Sequence, residues 1–295
     1  MKKNLVINID SGNIGHSFND HQFMCFSYYL ENKNLIDNVY IIISCLDHKD
    51  IELINNSFEE NCLLEGKKAI DVNISFSILF FMFENQKKNI IFLKELPNDI
   101  INPIILNKAI LRNVNKSNNF IEVYKKFRNN FENYLYLKNK KNTRCDITFI
   151  YRENNNSSTS KNNEYKKKYP GGGRAIINIE KFIEICNQLK ISYKVFNLSD
   201  YYNFETIFSL FYFSNTIVSF HGCELTFGIG MNDNTTIIEL TKEGHREHWW
   251  IAMSLSYTTY GLNYHVLPLV LDKNCNLNLN NNNINEILKL SSINK

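Results

Sequence analysis

The residues most able to do chemistry lie between Thr216 and Leu240. An apolar run, Thr216-Ile217-Val218-Ser219-Phe220, gives way to His221-Gly222-Cys223-Glu224-Leu225-Thr226, and a second run, Ile237-Ile238, leads to Glu239. In a parallel sheet such a turn falls at the carboxyl edge, where ligands bind. Gly222 lets backbone approach a ligand closely. A helix opening at Glu224 presents unpaired N–H groups and partial positive charge, which suit a diphosphate. Thr226 can donate a hydroxyl, and Glu239, at the end of its strand, can accept from ribose hydroxyls. The same pattern also reads as a strand–glycine–helix turn with no ligand, because one glycine is a weak motif.

Other polar clusters are weaker. His245 and His248 have metal-ligand spacing, but no third ligand is evident, and Trp249 and Trp250 beside them read as core or as the border of a sugar site. No Asp-x-Asp triplet occurs, so a carboxylate-held metal under a diphosphate is not signalled. The seven cysteines are odd in number, widely spaced and without a Cys-x-x-Cys pair, which points to free core thiols in a reducing compartment.

These residues need a scaffold. Leu5–Ile9 reads as a strand, followed by a loop from Asp10 to Asn13 and a helix from about Gly15 to Leu30. Val39–Leu46 and Ile90–Leu93 are strand candidates, Ile74–Phe83 fits either state, and Pro103–Lys138 looks helical. A polar boundary at Lys138–Asn142 precedes a strand at Asp146–Tyr151, and an Asn-, Ser- and Lys-rich insertion runs from Glu153 to Lys168. Helices are expected at Ile179–Leu189, Phe204–Phe213, Glu224–Met231 and Glu247–Tyr257. They alternate with strands at Tyr193–Phe196, Thr216–Phe220, Thr235–Leu240 and Tyr264–Leu271. The alternation predicts an α/β protein with a doubly wound parallel sheet.

The 295 residues, 44% hydrophobic and 13% aromatic, provide for a sizeable core and about two domains. They exclude a disordered chain, a collagen and a small disulfide scaffold. A net charge of +3 argues for neither nucleic acid nor an anionic membrane, and Lys166-Lys167-Lys168 reads as a solvated loop. No signal peptide is visible, and the longest apolar run is too short to span a bilayer, so a soluble, cytoplasmic protein is expected. About one residue in six is Asn, a bias that enlarges loops rather than marking a site.

Three separated motifs resemble glycosyltransferase family 61. Phe220-His221-Gly222-Cys223-Glu224-Leu225-Thr226, with Gly228, Met231 and Ile237-Ile238-Glu239-Leu240, is similar to the family's H-G-A-G-L-T-N…F-M…v-I-E-L. Tyr151-Arg152 and Arg174-Ala175-Ile176-Ile177-Asn178 resemble its strand-end arginine and R-x-I-x-N. Asn13, His16, Phe18 and Asp20 meet its N-x-x-H-x-F-x-D, and Leu262-Asn263-Tyr264 fits its ending. Cys223, Glu224 and Phe227 stand where the family has Ala, Gly and Asn, Ile179 where Glu is common, and the 153–173 insertion parts two arginines that are usually close.

The resemblance implies a GT-B fold, two Rossmann-like domains facing across a cleft. Residues 1–140 would form the acceptor-side domain and 141–270 the nucleotide-sugar-binding domain, with 271–295 an Asn-rich tail ending in a short helix. It implies an inverting transferase that moves a sugar from a nucleotide sugar, expected to be a UDP sugar, to a hydroxyl of a glycan or glycoconjugate. Nucleotide-sugar contacts would come from Arg152, Arg174, Asn178, His221, Gly222, Cys223, Glu224, Leu225, Thr226 and Glu239.

Inversion needs a base for the acceptor hydroxyl and cationic support for the leaving diphosphate. Arg152 and Arg174 can supply fork-shaped donors to phosphate, so no metal or other cofactor is required. His16 and Asp20, at i and i+4, share a helix face. Either the pair tunes the imidazole as base, or Asp20 is the base and His16 orients it. The alternative, kept open by Cys223-Glu224, is a degenerate nucleotide-sugar-binding protein without turnover, since a carboxylate beside a diphosphate repels it.

Overall fold

The computed structural model describes residues 3–8, 23–44, 46–59, 89–106, 119–138, 143–151, 175–197, 204–220, 223–243, 261–273 and 276–292. The chain divides into two compact units, Met1–Lys140 with Tyr202–Phe204, and Lys141–Tyr201 with Glu205–Lys295. Each carries its own parallel sheet.

In the first unit, β1 (Lys3–Asn8), β2 (Ile36–Ile42), β3 (Ile90–Leu93) and β4 (Ile104–Leu106) form a sheet ordered β3-β2-β1-β4. All its pairings are parallel. Leu5, Val6 and Ile7 are consecutive and buried, as expected of a central strand covered on both faces. The helices are α1 (Phe23–Asn32), α2 (His48–Glu59) and α3 (Asn119–Leu137). Phe127, Phe131 and Leu135 recur every fourth residue of α3 and are buried, which makes one face of that helix the core face. The edge strand β3 is clamped by Asn55 of α2. Its Nδ2 donates to the Phe92 carbonyl at 3.0 Å and its Oδ1 accepts from the Phe92 N–H at 3.0 Å. That amide thus satisfies a backbone segment that a further strand would otherwise pair.

The expectation of helix throughout Pro103–Lys138 is corrected here. Ile104-Ile105-Leu106 is a strand beside β1, in register with Leu5–Ile7. A three-residue edge strand is too short to show a period of two, and its β-branched residues prefer the sheet. The Ile74–Phe83 run and the start of the helix expected from Gly15 lie outside the described residues, as do the 153–168 insertion and Glu247–Tyr257.

The second unit contains β5 (Cys145–Tyr151), β6 (Ile176–Ile177), α4 (Ile179–Gln188), β7 (Tyr193–Asn197), α5 (Phe204–Tyr212), β8 (Ser214–Phe220), a 3-10 segment (Cys223–Gly230), β9 (Thr236–Lys242), β10 (Asn263–Leu269), β11 (Leu277–Asn278) and α6 (Asn281–Leu290). The main sheet is ordered β10-β9-β8-β5-β7, parallel throughout. Counting its strands along the chain, the order is 2-1-3-4-5, the flavodoxin-like variant of the doubly wound sheet. The fold is therefore mixed α/β with parallel sheets of four and five strands, compatible with a Rossmann-like architecture.

Side chains alternate between the two faces of this sheet. Ile147, Phe149, Val218, Phe220, Ile238 and Leu240 join Phe182 and Cys186 of α4 and Ile284, Ile287 and Leu288 of α6 in one core. The C-terminal segment, expected as an Asn-rich tail ending in a short helix, does end in one, α6, but it is built into that core. β11 pairs with β6, the Leu277 N–H donates to the Ala175 carbonyl at 2.7 Å, and Asn280 opens α6 with a reciprocal capping box to Asn283. The asparagines that suggested a loop are there as caps and turn residues, and the apolar residues between them are buried.

Glu224–Met231, expected as an α-helix, is instead a 3-10 segment beginning at Cys223. Two glycines weaken the α conformation, and packing takes over. Leu225, Phe227, Ile229 and Met231 are all buried, and Phe227 packs on Phe208 and Phe211 of α5.

Candidate functional site

A doubly wound sheet binds ligands where the strand order reverses. In the second unit that point lies between β5 and β8, because the chain builds β7 on one side of β5 and then β8, β9 and β10 on the other. Ile150 is in register with Ser219, so the strands end together, at Tyr151 and Phe220. The residues that follow them directly in the chain are Arg152 and His221-Gly222. Two motifs separated by about seventy residues in sequence are thereby attached to neighbouring strand ends.

The described part of the turn after β8 is the 3-10 segment, which holds Cys223, Glu224, Leu225 and Thr226. Leu225 is fully buried and anchors the turn rather than offering a contact surface. Gly230, at the end of the segment, is needed for close packing: a Cβ there would stand 2.4 Å from the Phe208 ring.

Glu239 departs from its expected place. β9 runs on to Lys242, held by β10 through the Thr241–Pro268 and Lys242–Leu269 register pairs, so Glu239 lies inside the strand and not at its end. It is fully buried, and its Oε2 accepts a hydrogen bond from the Tyr264 hydroxyl of β10. A carboxylate removed from water needs such partners. Ser219 is its in-register neighbour on β8, also fully buried, and the Ser219 hydroxyl has no hydrogen-bond partner among the described residues. Ser219, Glu239 and Tyr264 thus form a polar strip across three adjacent strands.

Asn178 is placed differently. It precedes α4 in the left-handed conformation, φ 65°, which Asn tolerates better than most residues. Its Nδ2 donates to Asn278 Oδ1 at 2.6 Å, fastening the β6–α4 junction to β11. α4 packs on the Val218 and Ile238 face, whereas Glu239, one residue along, points to the other face. The sheet separates these two candidates.

His16, Asp20, Arg152, Arg174, His221 and Gly222 lie outside the described residues, as do His245 and His248. Among the described residues no group of three or more His, Cys, Asp or Glu is placed to hold a metal ion, and no helix is long and apolar enough to cross a membrane. Sequence reasoning missed the Glu239–Tyr264 bond and the uncommitted Ser219 hydroxyl. Both depend on the register of strands far apart in the chain, and the only sequence signal was a serine within an apolar run and a tyrosine at the start of another.

No protein-family model matches the chain, and no curated protein matches it.

Proposed function

We propose that the protein is an inverting glycosyltransferase of the GT-B type, which takes a sugar from a UDP sugar and joins it to a hydroxyl of a glycan or glycoconjugate. The observation that carries this reading is the strand order of the second unit. Its switch point falls between the two strands whose ends lead into Arg152 and His221-Gly222. The second unit would hold the donor, and the first would meet the acceptor.

In this reading the Arg152 and Arg174 guanidiniums take the diphosphate as bidentate donors. The backbone of the Gly222 turn and the N–H groups opening the 3-10 segment add neutral donors, and the Thr226 hydroxyl is assigned as a further one. Together they stabilise the charge that develops on the leaving diphosphate. Asp20, oriented by or acting with His16, removes the proton from the acceptor hydroxyl as that oxygen attacks the anomeric carbon from the face opposite the diphosphate. The C–O bond to the donor phosphate breaks as the new glycosidic bond forms, which inverts the centre.

Two residues receive roles other than those their motif implied. Glu239, buried inside β9 and hydrogen-bonded to Tyr264, is assigned a structural role rather than a ribose contact. Asn178 is spent on Asn278 and organises the start of α4.

The test is transfer or hydrolysis of UDP sugars. Turnover by the wild type, abolished in Asp20→Asn and in His16→Ala while UDP binding survives, supports the assignment. Near-wild-type turnover in either variant removes that residue from the mechanism. Selective UDP binding with neither transfer nor hydrolysis favours the second reading, a binding protein without turnover, for which Glu224 in place of the family's Gly is the specific reason.

A further inference from the structure

We propose that the cavity between α2 and the end of β3, in the first unit, is a saccharide subsite: Glu52 and Glu95 accept from the hydroxyls of one sugar ring, and Lys94 and His48 supply the opposing donors. Assigning that ring to the acceptor rests on the transferase reading, whereas the binding itself rests on the cavity.

The cavity has a volume of about 360 Å³ and is lined by His48, Ile51, Glu52 and Asn55 of α2 and by residues 92–95. It lies at the carboxyl edge of the parallel sheet, since α2 follows the end of β2 and residues 94 and 95 follow the end of β3. Small-molecule sites span roughly 300–1,000 Å³, so this one takes a single small unit rather than a chain.

Its walls are fixed by hydrogen bonds. Asn55 bonds both backbone groups of Phe92 and so pins the helix to the strand. The Ile43 N–H donates to the Leu93 carbonyl at 2.9 Å, which carries the β2–β3 pairing past Ile42. Asp47 Oδ1 accepts from the Asp50 N–H at 2.9 Å and holds the first turn of α2. The side chains of His48, Glu52, Lys94 and Glu95 have no hydrogen bond or ion pair among the described residues. Positions 48, 51, 52 and 55 form one stripe of the helix, the spacing at which a helix facing a sheet ordinarily carries apolar residues. Here only Ile51 is apolar. Polar groups placed against that rule mark a functional surface.

The lining selects the ligand. A phosphate meets two carboxylates against one ammonium, and a lone amine meets Lys94, so either is opposed by like charge. A neutral polyol is not. Its hydroxyls donate to carboxylates and accept from nitrogen donors at once, and Ile51 and Leu93 offer apolar surface to its C–H groups.

The experiment is saturation-transfer NMR and titration of the full chain with the methyl pyranosides of glucose, galactose, xylose and N-acetylglucosamine. Inorganic phosphate, methylammonium and glycine serve as charged probes. The proteins are the wild type, Glu52→Gln, Glu95→Gln and, as a remote control, Glu132→Gln. At least one pyranoside is expected to bind, about fivefold or more weakly to Glu52→Gln and to Glu95→Gln, since each loses a hydrogen bond to a charged acceptor, and unchanged to Glu132→Gln. All three glutamates are exposed, so each variant is expected to fold. Binding of no pyranoside, pyranoside binding equal in all four proteins, or binding of a charged probe alone overturns the proposal. Pyranoside binding of the expected pattern without turnover of any UDP sugar supports the subsite and removes the transferase reading; turnover without such binding does the reverse.

Discussion

Burial decides what the described cysteines can do. Cys25 and Cys186 are sealed in the cores of the two units, and their thiols are pushed up, to about 12 for Cys25 by burial and to about 11 for Cys186 by burial and then by the Asp146 carboxylate. A thiol is nucleophilic only as the thiolate. Both are therefore expected to resist a thiol-specific disulfide reagent at pH 8 and to react once the chain is unfolded in denaturant, as counted by released chromophore. The sign of the pH effect follows. The folded values lie above the ordinary 9.0, so the stabilisation is complete below that value and is lost as pH rises through the folded values. Denaturant midpoints are expected to fall between pH 9 and pH 11 by this contribution, and to be insensitive to these thiols between pH 6 and pH 8. Residue identities were legible in the sequence wherever the chemistry is local to a motif, as in His221-Gly222. Roles set by strand register were not, and Glu239 is the instance: its neighbours Ser219 and Tyr264 are fixed only when β8, β9 and β10 align.

At the scale of elements, packing overrides local preference in two places. The segment after β8 is 3-10 rather than α because its apolar residues are buried, Phe227 against the Phe208 and Phe211 rings, and Gly230 lets the chain lie against Phe208. Gly230→Ala is expected to destabilise by about 1–3 kcal/mol, as overpacking does, with part of the loss recovered by Phe208→Leu; thermal melts of the three variants measure both. The second place is α6. Its Asn-rich start gives no apolar signal, but Asn280 and Asn283 cap each other and Ile284, Ile287 and Leu288 enter the core. Asn280→Ala is expected to cost about 1 kcal/mol, read as a lower denaturation midpoint with unchanged cooperativity. Strands long enough to show a pattern were legible, β3 and β7 among them. The three-residue β4 was not, since its place is set by pairing with β1 and not by any period of its own.

For the whole molecule, the alternation of strand and helix foretold the class of fold, because crossover connections and parallel pairing leave a repeated pattern in the chain. The order of the strands was not readable, and it is the order that gives the candidate site its meaning. In the second unit it carries β5 and β8 to the reversal point, and the chain leaves the ends of these two strands into Arg152 and into His221-Gly222. The first unit has the order β3-β2-β1-β4, and its own reversal lies between β1 and β4. The chain leaving β1 leads toward His16 and Asp20, the proposed base pair for the acceptor hydroxyl. The proposed activity requires the edge of the second sheet to bind a nucleotide diphosphate without a divalent metal. The most direct measurement is the stability of the folded protein against UDP, GDP, CMP and their sugars, with and without manganese. The proposed donor site predicts a selective gain with UDP or one UDP sugar, about 2.7 kcal/mol at a hundredfold excess over the dissociation constant, the same with chelator as with manganese. No gain with any nucleotide, or a gain that appears only with manganese, contradicts it.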